Sequence, residues 1–162
     1  MAEQKTNVMR VLDQKKIPYT PYQYPCPDGA VDGVHVAKLL GHDPDTVFKT
    51  LVTRGVGKGY YVFVVPVAKT LDLKAAARAV GEKSIAMIRQ AELLPLTGYV
   101  HGGCSPIGMK KAFPTVLDQS AEALETMVVS GGKIGVQIAL APGDLAACTG
   151  ASFAPVSRSS QE

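Results

Sequence analysis

Short apolar runs punctuated by glycine and proline dominate the chain, and the spacing within each run predicts which element it forms. Thr6 can cap a first helix in which Val8, Val11 and Leu12 share one face while Arg10, Asp13 and Gln14 face water; that helix ends before Pro18. Residues 19–24 alternate aromatic and polar positions as a strand does, and Pro21 confines that strand to an edge or a bulge. Asp32 caps a second helix that carries Val34, Val36, Ala37, Leu39 and Leu40 and is closed by Gly41. The run Val47-Phe48-Lys49-Thr50-Leu51-Val52 reads as a strand, bounded by turns at Asp43-Pro44 and Arg54-Gly55-Val56-Gly57. Residues 60–65 form a second β-branched run, and the short glycine-bearing link predicts an antiparallel hairpin at the centre of the sheet.

Farther on, Asp72 caps a helix over residues 73–80 with Gly81 as its terminator, where Asp72 is a cap rather than an acid catalyst. Residues 85–88 and 115–117 read as short strands, and residues 92–94 as at most one helical turn before Pro95. Residues 126–129 and 135–140 flank Ser130-Gly131-Gly132-Lys133 as a hairpin, and Pro142 with Asp144 opens a last helix that ends near Gly150. Strands outnumber helices without strictly alternating with them, so the pattern predicts an α+β domain with a mixed sheet rather than a doubly wound parallel one. The glycine fingerprint of a dinucleotide-binding fold is absent.

Composition narrows the picture further. The chain has 162 residues, 46% of them hydrophobic, which is enough for one core and too little for two ordinary ones. A single domain over residues 1–157 is predicted, with residues 158–162 as a disordered tail inside the frayed stretch that begins at Ser157. No run has the length a bilayer needs, and the polar start through Lys5 lacks the apolar core of a signal peptide, so a cytosolic protein with no membrane partner is expected. Cys26, Cys104 and Cys148 have no paired spacing, and His35, His42 and His101 are scattered. Neither a disulfide framework nor a metal or other cofactor is expected, and His35 and His42 read as surface residues. A net charge of +3 falls short of a dedicated duplex binder, which argues against DNA and leaves RNA open.

Two stretches bear on chemistry. Lys49 places an ammonium inside an apolar strand, where it must reach water, find an acid or line a cleft that uses its charge. Residues 97–111 contain four glycines, Pro106 and the terminal pair Lys110 and Lys111, a composition that lets backbone approach a ligand closely with cations at hand.

Several motifs in order then carry a resemblance: Val47-Phe48-Lys49-Thr50-Leu51, Pro66-Val67 with Leu71-Asp72-Leu73-Lys74, Thr97-Gly98-Tyr99, Gly102-Gly103-Cys104-Ser105-Pro106-Ile107-Gly108 with Lys110-Lys111, and Val129-Ser130-Gly131-Gly132. From about Lys5 to Ser157 the chain resembles the YbaK type of free-standing aminoacyl-tRNA editing proteins, relatives of the editing domain inserted in bacterial prolyl-tRNA synthetases. The resemblance implies a mostly antiparallel, barrel-like mixed sheet surrounded by helices. It also implies clearing of mischarged tRNA, above all the cysteinyl ester on tRNA(Pro) and with it Cys-tRNA(Cys), and a partnership with the tRNA acceptor end that extends to prolyl-tRNA synthetase. It gives Lys49 the essential side chain and Gly102 a backbone amide at the ester. Tyr24, Thr50, Gly103, Ser105 and Gln137 fall around the substrate, and Gln137 stands where the family can hold an aspartate.

An aminoacyl ester is already activated, so such a site must orient it, stabilise charge on the carbonyl oxygen and supply a nucleophile. The resemblance implies that the cysteinyl thiol itself attacks, giving a cyclic thiolactone. Cys104 with His101 as its base is the competing nucleophile, although most free cysteines are small apolar fillers. Lys110 and Lys111 are read either as tRNA phosphate contacts or as solvated lysines, and Tyr24 either as a stacking platform for the terminal adenine or as a rim tyrosine. Ser105 is read chiefly as a turn cap. Two other functions use the same residues: removal of alanine or another small aminoacyl group, and non-catalytic binding of the acceptor end or its synthetase.

Overall fold

The computed structural model describes residues 5–25, 32–57 and 59–159. Helix α1 (Asn7–Gln14) is capped by Thr6, whose hydroxyl accepts from the Met9 amide, and it buries Val8, Met9 and Leu12. Strand β1 (Thr20–Gln23) is an edge strand, helix α2 (Gly33–Leu39) follows its Asp32 cap, and strands β2 (Phe48–Gly55) and β3 (Tyr60–Pro66) form the expected antiparallel hairpin with Lys49 opposite Val65. Strand β4 (Lys69–Leu71) leads into helix α3 (Leu73–Val80), which starts at Asp72 and stops at Gly81 in the left-handed region. Strand β5 (Ile85–Met87), helix α4 (Gln90–Thr97) and strand β6 (Thr115–Asp118) come next. The chain then forms β7 (Met127–Lys133), β8 (Val136–Leu140), α5 (Pro142–Thr149), β9 (Ser152–Ala154) and β10 (Ser157–Ser159).

One sheet has the order β5-β2-β3-β6-β9 and is mixed, because β6 runs parallel to both β3 and β9. A second, antiparallel sheet has the order β1-β8-β7. Among the described residues the two meet at a parallel bridge between Val47 and Val128, so the barrel-like arrangement is two sheets joined at a seam. Phe48, Val52, Val62 and Val64 from the first sheet and Met127, Val129, Ile138 and Leu140 from the second fill the main core with Val8 and Leu12 of α1. Phe63, Val65 and Val116 point the other way, into a second core covered by Ala76 and Ala77 of α3. Alternation along β3 thus gives each sheet face its own cluster.

Four local expectations are corrected. Pro95 lies inside α4 rather than ending a single turn: the helix is held at its start by the Glu92 carboxylate accepting from the Arg89 amide (2.8 Å) and at its end by Gly98. With only Leu96 and Thr97 following in the helix, the missing proline N–H costs one hydrogen bond and no long continuation. Ser130-Gly131-Gly132-Lys133 is an irregularity within β7, and the reversal falls at Ile134 and Gly135, between the paired Lys133 and Val136. His42 is only partly exposed, since its Nε2 is buried without a partner among the described residues and its ring meets Tyr22 edge-on at 4.7 Å; His35 is exposed. Residues Ser157–Ser159 do not fray but pair with β4, Arg158 opposite Thr70, while residues 160–162 lie outside the described residues.

Asp118 explains the ordered C-terminal segment. Its buried Oδ1 accepts from the amides of Val156 and Ser157 at 3.0 Å each, and its Oδ2 accepts from the Ser120 hydroxyl at 2.5 Å. Replacing it by alanine leaves a buried amide without an acceptor, so Asp118→Ala is expected to lower unfolding free energy by about 2 kcal/mol in urea melts, with faster amide exchange concentrated in residues 152–159.

Candidate active site

A cavity of about 370 Å³ opens where α2, the first residues of β2, the edge of the β1-β8 pair and the 98–114 loop converge. Four successive residues, Phe48, Lys49, Thr50 and Leu51, line it, so it lies at the end of β2, where both faces of the strand are reachable. Tyr24 enters from just beyond β1, anchored by its amide to the Gly135 carbonyl (2.9 Å), and Gln137 enters from β8. Gly102 and Cys104 complete the wall opposite β2.

Lys49 is half-buried and forms no ion pair among the described residues. Burial pushes its ammonium below the ordinary lysine value, and the Asp32 carboxylate partly restores it. Thr50 Oγ1 and Gln137 Oε1 are buried and have no partner among the described residues. Buried polar atoms without a partner are costly, so a hydroxyl and an amide oxygen in the wall of one cavity mark it as a place where something else supplies the partners.

The loop is built to present backbone. Thr97 donates to the Leu93 carbonyl (2.8 Å) and accepts from the Tyr99 amide (3.0 Å), the Tyr99 hydroxyl donates to the Ile107 carbonyl (2.6 Å), and the Asn7 amide group donates to the Gly108 carbonyl (3.1 Å). Gly102 has φ +89°, a conformation that strains any side chain, and its amide has no hydrogen-bond partner among the described residues. A Cβ at Gly103 would fall 2.9 Å from the Ile134 amide nitrogen, so this glycine serves packing against the β7-β8 turn.

Not every expected site residue lies in the cavity wall. Lys49, Gly102, Tyr24, Thr50 and Gln137 come together there, whereas Gly103, Ser105, Lys110 and Lys111 do not. Ser105 is fully buried and its hydroxyl accepts from the Ile107 amide (3.2 Å), the turn-capping role. Lys110 and Lys111 are exposed on the same loop. Asp32, read from sequence only as a helix cap, also lines the cavity, as do Val36, Val67 and Ser130. Its signal was the short distance in sequence between a cap and the lysine strand, which periodicity alone does not convert into a contact.

Cys104 sits in the wall, but burial pushes its thiol up to about 12, with a weaker opposing effect from Thr97. At neutral pH it is a thiol and a poor nucleophile; His101, although exposed, lines the same cavity, but no hydrogen bond joins it to the thiol among the described residues. Cys104→Ala is expected to keep kcat/KM within about threefold of wild type and to cost about 1 kcal/mol of stability, read by steady-state assay and urea melt.

The family model described as aminoacyl-tRNA editing domain matches residues 29–148. Over 154 residues the chain is 44% identical to an Enterococcus faecalis (strain ATCC 700802 / V583) protein named "Putative Cys-tRNA(Pro)/Cys-tRNA(Cys) deacylase EbsC", covering 95% of this chain and 94% of that one. A solved structure described as "a putative trans-editing enzyme for prolyl tRNA synthetase" superposes with a TM-score of 0.81 at 25% identity, over 96% of this chain and 99% of the other. A hypothetical protein of known structure, 24% identical over 94% of this chain and 100% of its own, shares the fold with a TM-score of 0.85.

Proposed function

The chain belongs to the aminoacyl-tRNA editing domain family, and from that premise we propose that it is a deacylase that removes cysteine from Cys-tRNA(Pro) and, when offered it, from Cys-tRNA(Cys). The observation that carries this reading is the cavity itself. Among the described residues it combines a half-buried cation, an unengaged glycine amide and two buried polar oxygens without a partner, while the Cys104 thiol is protonated and a poor nucleophile.

In this reading the esterified ribose enters beside Lys49, and the Gly102 amide faces the carbonyl oxygen. A preorganised amide and an ammonium aimed at developing oxyanion charge stabilise the transition state more than the ground state. The nucleophile is the substrate's own cysteinyl thiolate. Its sulfur bonds to the carbonyl carbon, the carbon–oxygen bond to the ribose breaks, and the ribose oxygen leaves with the proton the thiol gave up. The thiolactone so released opens in water to cysteine. No side chain of the enzyme has to form a covalent bond, which suits a wall whose one sulfur among the described residues, that of Cys104, is held as a thiol. Tyr24 offers a ring face to the terminal base, and exposed Lys110 and Lys111 lie on the site's own loop, available to acceptor-strand phosphates. Selection of tRNA(Pro) in the cytoplasm is shared with prolyl-tRNA synthetase when the two are together.

The test is release of labelled cysteine from Cys-tRNA(Pro). Loss of the ester well above the buffer rate supports the reading. Binding of tRNA with no loss above that rate establishes a binding module instead.

A further inference from the structure

The cavity wall carries polar side-chain atoms that no described residue satisfies. Asp32 is the only carboxylate in its wall among the described residues, and it stands with Thr50 Oγ1 and Gln137 Oε1, both buried and unpartnered. Asp32 Oδ1 accepts from the Val34 amide at 3.3 Å as the cap of α2, and Oδ2 has no hydrogen-bond partner among the described residues. Lys49, in the same wall, feels the Asp32 carboxylate without forming an ion pair with it among the described residues, so each charge can still take a partner from a ligand. A ligand complementary to both charges brings a compact cationic donor to the Asp32 side and an oxygen to the Lys49 side. An aminoacyl ester has that arrangement, with the α-ammonium one carbon from the carbonyl.

We propose that Asp32, together with Thr50 and Gln137, binds the α-ammonium of the aminoacyl group and thereby restricts the site to aminoacyl esters whose amino group is free. This rests on the deacylase reading and deepens it. Formylated, acetylated and peptidyl esters have a neutral amide at that position, with at most one hydrogen to donate, so they leave the carboxylate without a cationic partner. The consequence is a filter that spares chains under synthesis on the ribosome and admits only newly charged tRNA.

The test compares Cys-tRNA(Pro) with N-acetyl-Cys-tRNA(Pro), for wild type and Asp32→Asn. Asparagine caps a helix as well as aspartate does, so α2 is retained while the charge is removed. Wild type is expected to prefer the free amine by about tenfold to a hundredfold in kcat/KM, the range for a hydrogen bond to a charged group. Asp32→Asn is expected to lose that preference by slowing only the free-amine substrate. An equal loss on both substrates overturns the proposal and leaves Asp32 acting through Lys49 or the helix. Wild type that cleaves both esters equally overturns it too, with the deacylase reading intact. Wild type that cleaves neither removes the deacylase reading on which it stands.

Discussion

Lys49→Ala is expected to lower kcat/KM for Cys-tRNA(Pro) by a factor on the order of 10²–10³, about 2.7–4 kcal/mol of transition-state stabilisation, the size of effect seen when one preorganised charge or donor is withdrawn from an oxyanion. The fold should persist, because the lysine backbone pairs with Val65 whatever its side chain and the ammonium opposes burial rather than favouring it. Circular dichroism and the urea midpoint should therefore stay at or above wild type. The pH profile adds a sign. Burial lowers the Lys49 pKa from 10.5, so the charge is present at neutral pH and is lost as pH rises through a value below 10.5. After subtraction of spontaneous hydrolysis, wild-type activity should fall on the alkaline side earlier than a solvated lysine would allow. Lys49→Arg, which keeps its charge throughout, should show the same limb displaced to higher pH.

The second large effect concerns the substrate. If the cysteinyl thiol is the nucleophile, Ser-tRNA(Pro) and Ala-tRNA(Pro) must wait for water, and each should be cleaved at least about 10²-fold more slowly than the cysteinyl ester under single turnover. Size does not explain such a gap, since serine differs from cysteine by one atom and alanine is smaller than either. Comparable rates for cysteine and alanine would assign the cavity to small aminoacyl groups in general and leave water as the attacking group.

Much of the fold was legible because its signals were local. Asp72 and Gly81 bracket α3 to the residue, and the β2-β3 hairpin follows from two β-branched runs with a glycine-bearing link. Where long-range partners decide, local reading failed. Residues 157–159 are ordinary polar residues that become a strand because β4 offers an edge and Asp118 fixes the preceding amides. His42 looked like a loop histidine until Tyr22, twenty residues earlier, closed over it. The site divides in the same way. An ammonium in an apolar strand and a glycine-rich loop each announced themselves, and the structure brings Lys49 and Gly102 to one cavity. Asp32 was visible only as a cap, because its second role depends on how α2 lies against β2. Gly103 and Ser105 were drawn toward the substrate by sitting in the same glycine-rich stretch, whereas packing on Ile134 and a buried turn account for them.

The central claim is that an aminoacyl ester occupies the space between Lys49 and Gly102. It is tested most directly by titrating the labelled protein with cysteinyl-adenosine in which a stable amide replaces the ester, following backbone amides and the lysine side chain by NMR. The expected result is saturable shifts at the Gly102 amide, the Lys49 side chain, Thr50 and Gln137, with Lys49→Ala weakening the binding. Shifts confined to other surfaces, with these four unmoved at saturation, would contradict it.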